Sequence, residues 1–365
     1  MPEYRFDEIA ILRNEKRTPV PEDKYTYVGL EHLDSGKLEV TRWGSEVDIK
    51  GEKRVMHKGD ILFGRRNTYL KRAAIAPHDG LFSAHGMIFR PNTKVISERL
   101  FPFFIASDYF MDAAIRISVG SLSPTVNWKT LRELKFKLPP LEQQNELADL
   151  MQAANDTKVA YEQILLQIDE LVKSQFIEMS ERADGKPTRM GDIATYINGA
   201  AFKPKDWSTS GKPIIRIQNL NDPLADYNYY AGTMDEKYLV HPGEVLISWA
   251  THLEAYIWHG EEAWLNQHIF RTVFDKMEVN KTFFLYAANV ALKEAFKKAH
   301  GFKQTMEHIK RGDFEDAIVY LPDEDTQERF AAFAEQSDKS KFELKQAIER
   351  VTNLMKSLMQ QDFVN

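Results

Sequence analysis

Two stretches of the chain place apolar residues at alternating three- and four-residue steps, the spacing that lays them along one face of an α-helix. In the first, Leu147, Leu150, Ala154, Tyr161, Ile164, Ile168, Leu171 and, one step late, Phe176 mark the stripe, with a polar interruption at Asn155-Asp156-Thr157. In the second the stripe is Phe330, Phe333, Leu344, Ile348, Val351, Leu354 and Leu358. Pro139-Pro140 and Glu142 fit a helix start, because the first turn has no intrahelical use for its N–H groups and its dipole favours a carboxylate. Asp184-Gly185-Lys186-Pro187 reads as the stop, and the second helix follows Pro322 and the acidic run Asp323-Glu324-Asp325. Each helix would run ~55–60 Å if continuous over about 38 residues. Neither can bury its stripe alone, and they match in length and phase, so the simplest arrangement is an antiparallel pair. The alternative folds each helix back on its own globule.

The segments before each helix read as β-rich. Strand-like runs are Tyr25–Leu30, Asp60–Phe63, Met87–Phe89 and Leu134–Leu138, then Ile214–Ile217, Glu244–Ser248, His268–Phe274 and Ile318–Leu321. Helical windows cover Leu100–Ile115 and Thr282–Ala299.

The whole pattern is written twice. Leu138-Pro139 returns as Leu321-Pro322, Gln144 as Gln327, and Leu171, Lys173 and Ser174 as Leu354, Lys356 and Ser357, a register difference of 183. Earlier, Arg5, Ile9 and Ala10 match Arg189, Ile193 and Ala194. Val28, Leu30 and Leu33 match Ile215, Ile217 and Leu220, and Gly59 and Leu62 match Gly243 and Leu246. The plan is therefore α+β, with a globule at 1–137, a helix at 138–183, a second globule at 184–320 and a second helix at 321–365. Such a duplication suits a protein that reads two similar but non-identical objects at a fixed separation.

Between the two copies the framework is kept while the loop chemistry changes. After Phe63 come Gly64, Arg65, Arg66, Asn67, Thr68 and Tyr69, then Lys71 and Arg72; after Ile247 come Ser248, Trp249, Ala250, Thr251 and His252. Arginine suits guanine O6/N7 and asparagine suits adenine, while Ser, Thr and His can bond base edges or phosphates. The alternative for Arg65-Arg66 is a solvated surface loop. His85 and His268 sit beside strands as framework or reading histidines, with Asn266 and Gln267 the better hydrogen-bond readers. Lys203 and Lys205 resemble a phosphate-contacting loop beside Trp207, which also suits partial core. Asn219 and Asn221 could face DNA or make a turn.

Charge sharpens this reading. The chain is −6 overall, but residues 1–137 carry +5, 138–183 carry −6, 184–320 carry −2 and 321–365 carry −3. A basic first globule and acidic helices are compatible with DNA on one surface and protein elsewhere. There is no cysteine, hence no disulfide framework and no thiolate metal site. The N-terminal residues lack the apolar core of a signal peptide and no apolar run reaches ~20 residues, so a soluble cytoplasmic protein is expected. Neither an Asn/Asp-Pro-Pro-Tyr/Phe tetrad nor a GxxxxGK[ST] loop occurs, and His252-x-Glu254 lacks the cysteines of a deaminase zinc site. The chain is not expected to be an enzyme by itself. A stand-alone DNA-binding regulator, a nuclease or hydrolase, and a coiled-coil adaptor stand as the other classes.

The stretches LPPLEQQNELADLMQ (138–152) and LLQIDELVKSQFIEM (165–179) resemble the central conserved region of type I restriction-modification specificity subunits. LPDEDTQERF (321–330) through ERVTNLMKSLMQQDF (349–363) resembles the distal conserved region, with Asp323 where the first copy has its second proline. YVGLEHLDSGKL (27–38), KGDILFGRRNTYLKRAAI (58–75) and LNQHIFR (265–271) resemble framework pieces of target recognition domains. The resemblance implies that each domain reads one half of a bipartite DNA site and that the paired helices set the spacer. It implies two docked modification subunits that methylate adenine with S-adenosylmethionine. Restriction subunits joining them would cleave with ATP and Mg, so no cofactor is expected in this chain.

Overall fold

The computed structural model describes residues 1–181, 185–222, 224–300 and 308–364, with backbone alone at 181, 299–300 and 361–364. The first copy runs β1 (Glu3–Arg5), α1 (Phe6–Ile9), β2 (Ala10–Arg13), β3 (Lys16–Arg17), β4 (Lys53–Met56), β5 (Ile61–Phe63), β6 (Ala73–Ile75), β7 (Gly80–Phe82), β8 (Met87–Pro91), α2 (Phe101–Ala106), α3 (Asp108–Arg116), α4 (Trp128–Leu131), β9 (Lys135–Lys137) and α5 (Leu141–Glu181). The second runs β10 (Lys186–Arg189), α6 (Met190–Ile193), β11 (Thr195–Asn198), β12 (Lys212–Ile215), α7 (Ile217–Asn221), β13 (Asn228–Tyr230), β14 (Leu239–Val240), β15 (Val245–Ser248), β16 (Glu254–Ile257), β17 (Ala263–Leu265), β18 (Ile269–Val273), α8 (Lys281–His300), α9 (Arg311–Glu315), β19 (Ile318–Leu321) and α10 (Glu324–Val364).

The duplication is visible in the sheets. β2-β8-β5-β6 in the first copy corresponds to β11-β18-β15-β16 in the second, and the hairpin-like pair β1-β9 to β10-β19. The second sheets are β3-β4-β7 and β13-β12-β17-β14. Period-two alternation decides what each strand buries. Ile61 and Phe63 of β5 face the helix-side core while Leu62 faces the other; Val245 and Ile247 of β15 repeat this around Leu246. Both faces of these central strands are covered, which is why they read as unbroken apolar runs. Gly59 and Gly243 turn into them at φ of +86° and +82°, where a side chain is disfavoured. Asp60, buried, pairs with Arg90, and Glu244 pairs with Arg271 at 2.6 Å, so the turn residue and the neighbouring strand are tied alike in both copies.

Two compact units result: Met1–Gln163 with Leu344–Asn365, and Ile164–Glu343. Each holds part of α5 and part of α10. In the second unit the Phe176 and Phe330 rings lie 5.4 Å apart and Lys341 Nζ lies 3.1 Å from Asp169 Oδ1, so one helix ascends as the other descends. In the first unit Leu147, Ala148 and Met151 share a core with Met359.

The repeated glutamine explains how each helix is seated. Gln144 accepts from Ser97 N at 2.8 Å and donates to Val95 O and Pro139 O at 3.0 and 2.8 Å. Gln327 accepts from Asn280 N at 3.0 Å and donates to Pro322 O at 2.9 Å. A buried side-chain amide thus meets backbone groups that have no helical or sheet partner.

The structure corrects several expectations. Leu147 and Phe330 are buried and Ile168, Phe333, Leu344, Ile348, Val351 and Tyr161 half-buried, but Leu150, Ile164, Leu171 and Leu354 are 56%, 40%, 54% and 53% exposed. Phe176 is buried, and Met151, Val172 and Met355 occupy the inner stripe in their place. That stripe also contains Gln144, Ala148 and Asn155, small or polar residues that an apolar count skips, and a one-residue slip rotates a position by ~100°. The first helix begins after both prolines and runs unbroken through Asn155-Asp156-Thr157. Asp184 lies outside the described residues, and Lys186-Pro187 belong to β10. Tyr25–Leu30 is no strand: two 3-10 turns flank a single Val28–Phe82 bridge. Its counterpart β12 ends at Ile215, and Ile217 opens α7, where Asn219 Oδ1 accepts from Arg216 N. The window Leu100–Ile115 is two helices, divided where Ser107 caps α3. Among the described residues, no helix is long and apolar enough to cross a membrane.

Candidate nucleic-acid interface

In both units the chain leaves the central strand into an arc pinned from outside by a later segment. In the first, Val126 N donates to Arg65 O at 2.9 Å and Asn67 N to Pro124 O at 2.8 Å, with a bridge between Arg66 and Thr125. In the second, Ile309 N donates to Trp249 O at 3.0 Å and Ala250 bridges to His308. Asn67 and Thr251, equivalent in this alignment, both take the left-handed conformation at φ of 53° and 59°. The arc's path is therefore held by backbone, which leaves its side chains free to differ.

The first arc presents cations, but unequally. Lys71 Nζ lies 2.6 Å from both Asp108 and Asp112, which neutralise it and anchor the arc to α3. Arg72 donates to Leu30 O and Arg66 O at 3.0 and 3.3 Å, and desolvation holds its pKa below the ordinary value. Thr68 is buried and donates to Arg65 O at 2.9 Å. These three support the arc. Among the described residues Arg65 forms no ion pair and its buried Nε has no hydrogen-bond partner; exposed Arg66 donates to Ser123 Oγ at 3.3 Å. Tyr69 is exposed. His85 stands close to this charge: desolvation first, then Arg66, Arg65 and Lys53, hold its pKa below the usual histidine value.

One member of this cluster escaped the sequence reading. Arg54 on β4 is only 8% exposed, pairs with no carboxylate among the described residues, and donates to Asn14 Oδ1 at 3.0 Å. Its Nε is buried and unpartnered. Alternation carried the signal, since Lys53 and Val55 are half-exposed while Arg54 and Met56 point inward.

The second arc presents other chemistry. Trp249 packs against His268 with ring centroids 5.1 Å apart, and burial holds the His268 pKa below the ordinary value. Gln267 Nε2 lies 2.9 Å from His268 Nε2 and is exposed. Past Thr251, His252 Nε2 lies 2.9 Å from Glu254 Oε2, and Tyr256 OH reaches both Glu254 and Asn221. Ser248 and Asn219 are buried in the framework, donating to Ala250 O and to the Ala225 and Asp226 carbonyls. Asn266 is half-buried and bridges to Ala200 beside Gly199, where an added Cβ would come within 2.1 Å of Asn266 O. Lys203 and Lys205 are exposed on a separate turn, Pro204–Asp206, and Arg216 lies over the Trp207 ring at 5.5 Å.

A family model described as type I restriction modification DNA specificity domain matches residues 4–170 and again 184–352. The EcoDI specificity subunit of Escherichia coli is 26% identical over 145 residues, covering 39% of this chain and 32% of that protein. The EcoBI specificity subunit of the same organism is 29% identical over 135 residues, covering 36% and 28%. A putative MjaX specificity subunit from Methanocaldococcus jannaschii is 30% identical over 159 residues, covering 40% and 37%. The matched stretches thus span about a third of each relative's own length. In fold, the chain resembles a solved chain described with assembly and conformational transition of a type I system (TM-score 0.61, 17% identity, 99% and 97% covered). It also resembles an S subunit from M. genitalium (TM-score 0.53, 12% identity, 99% and 96% covered).

Proposed function

The chain belongs to the type I restriction modification DNA specificity domain family, and from that premise we propose that it is the DNA-reading subunit of a type I restriction-modification complex. Each unit reads one half of a bipartite, asymmetric site. The arcs supply base contacts and neighbouring cations supply phosphate contacts that fix register. The long helices α5 and α10 set the unspecified spacer and receive two modification subunits. Adenine methylation with S-adenosylmethionine, and cleavage with ATP where restriction subunits join, belong to those partners.

The observation that carries this reading is the pair of arcs. Both are pinned through the same backbone position, Arg65 O and Trp249 O, yet one offers Arg65-Arg66-Asn67 and the other Trp249-Ala250-Thr251. A constant frame with exchanged chemistry is what reading two different half-sites requires. Arg66 suits bidentate bonding to guanine, worth ~1–3 kcal/mol of discrimination.

The test is a methylome. Co-expression with the modification subunit in a methylation-free host should yield methyladenine in a two-part motif with a fixed gap, absent without this chain. Arg66→Ala should relax one half of the motif and leave the other intact. An unchanged motif refutes the role of Arg66, and no motif from a folded, assembled complex refutes the functional reading.

A further inference from the structure

The environment of Arg54 asks for an anion the chain does not supply. An arginine that is only 8% exposed ordinarily carries a carboxylate partner, because an unpaired buried charge is destabilising. Elsewhere in the same unit even partly exposed cations find carboxylates: Arg17 meets Asp23, Arg90 meets Asp60 and Lys71 meets two aspartates. Among the described residues Arg54 has only the neutral Asn14 amide, and its Nε has no partner. The charge that acts on it, Arg65, is of like sign. β4 pairs with β7 at Arg54–Phe82, three residues before His85, and desolvation, with the Arg65 charge second, lowers the Arg54 pKa. Lys53, also without a carboxylate among the described residues, donates to the carbonyls of Lys50 and Gly51.

Resting on the functional reading above, we propose that Arg54, with Arg65 and Lys53, forms a phosphodiester-binding site that seats one DNA backbone phosphate and so sets the register of the first unit on its half-site. The phosphate completes a charge balance the free protein lacks. Arg54 is then a positioning contact that carries no base identity, unlike Arg66 on the adjoining arc.

Arg54→Met tests this in the full chain bound to its modification subunits, with duplex affinity measured across salt concentration. Loss of one phosphate contact should reduce the slope of log K against log salt by ~0.9, an affinity loss of about eight-fold at 0.1 M that vanishes towards 1 M. The methylated motif should not change. Because Met removes an unpaired buried charge, the free variant should melt no lower than the parent, and Arg54→Lys should keep most of the slope. A lower melting temperature with an unchanged slope makes Arg54 scaffold and overturns the proposal; so does an altered motif, which would make it a base reader. Inorganic phosphate that stabilises the parent but not Arg54→Met, beside an unchanged duplex slope, would assign the site to free phosphate and overturn the DNA assignment. A parent complex with no sequence preference would instead refute the functional reading itself.

Discussion

Gln144→Ala and Gln327→Ala make a matched pair, because the two glutamines are equivalent in the duplication but do not hold equal numbers of backbone groups. Gln144 is 1% exposed and satisfies three: the Ser97 amide and the Val95 and Pro139 carbonyls. Gln327 is 7% exposed and satisfies two, the Asn280 amide and the Pro322 carbonyl. Truncation leaves each such group buried and unmet at roughly 1–3 kcal/mol, with partial relaxation making the sum less than additive. The expectation is about 3–5 kcal/mol for Gln144→Ala and about 2–3 kcal/mol for Gln327→Ala, on the same per-group scale. Gln144→Glu should not rescue the first, since it keeps the acceptor for Ser97 but sets a carboxylate against two carbonyl oxygens. Denaturant unfolding gives the magnitudes, and hydrogen exchange of the Ser97 and Asn280 amides localises them. If Gln327→Ala costs as much as Gln144→Ala, or if the Ser97 amide stays protected in the first variant, the clamp reasoning is wrong.

Three further outcomes follow from individual side chains. Val172→Ala should cost about 2 kcal/mol, from buried methyl groups plus a cavity, whereas Leu171→Ala should stay within about 0.5 kcal/mol; Val172 is 2% exposed and Leu171 54%. Thermal unfolding showing the reverse order would return the stripe to Leu171. Asp23, buried, takes two bonds from Arg17 at 2.5 and 2.6 Å and one from Val20 N at 2.7 Å, and the guanidinium first among these holds its carboxyl below the usual aspartate value. A depressed carboxyl contributes stability that is present above its unfolded pKa, near 4, and lost as pH falls through the lower folded value. Asp23→Asn should therefore melt below the parent at neutral pH, with the gap closing in acid; a gap constant to low pH refutes this. Thr251 is β-branched at φ of +59°, so Thr251→Gly should relieve strain and stabilise by about 1 kcal/mol, and a drop in melting temperature would show that the conformation is not strained.

Much of the architecture was legible because it rests on periodicity. The 183-residue echo that places Gln144 against Gln327 is equally an echo of β1-β9 in β10-β19 and of α5 in α10. Where periodicity was read through apolar residues alone, it failed by one step. Gln144, Ala148 and Asn155 lie on the inner face, so the count slid to Leu150, Ile164 and Leu171 on its rim. Val28 shows a different limit. Its parallel bridge to Phe82 matches the pairing of Ile215 with Leu265, yet the first copy reduces the strand to one bridge, after the turn that Pro21 opens and Asp23 caps.

The candidate interface was less legible, and the reason is charge pairing over long sequence distances. Lys71 and Arg65 look alike in sequence, six residues apart in one basic loop. Asp108 and Asp112, contributed by α3, neutralise the first, while nothing among the described residues neutralises the second. Only the fold decides which cations remain available to a polyanion. Arg54 inverts the usual rule: its strand turns it inward, and it matters because no carboxylate among the described residues balances it. Thr68, Ser248 and Asn219 fail the opposite way, since their polar groups are consumed by the backbone of the arcs and turns they shape. Short polar side chains in loops bond their own backbone readily, so loop composition overstates the number of groups free to meet bases. The arcs themselves escape this ambiguity. Their course depends on the amides at 126 and 309 and on left-handed residues at 67 and 251, none of which depends on what the neighbouring side chains are. Exchanging those side chains should therefore alter what is read while leaving how the arc is held.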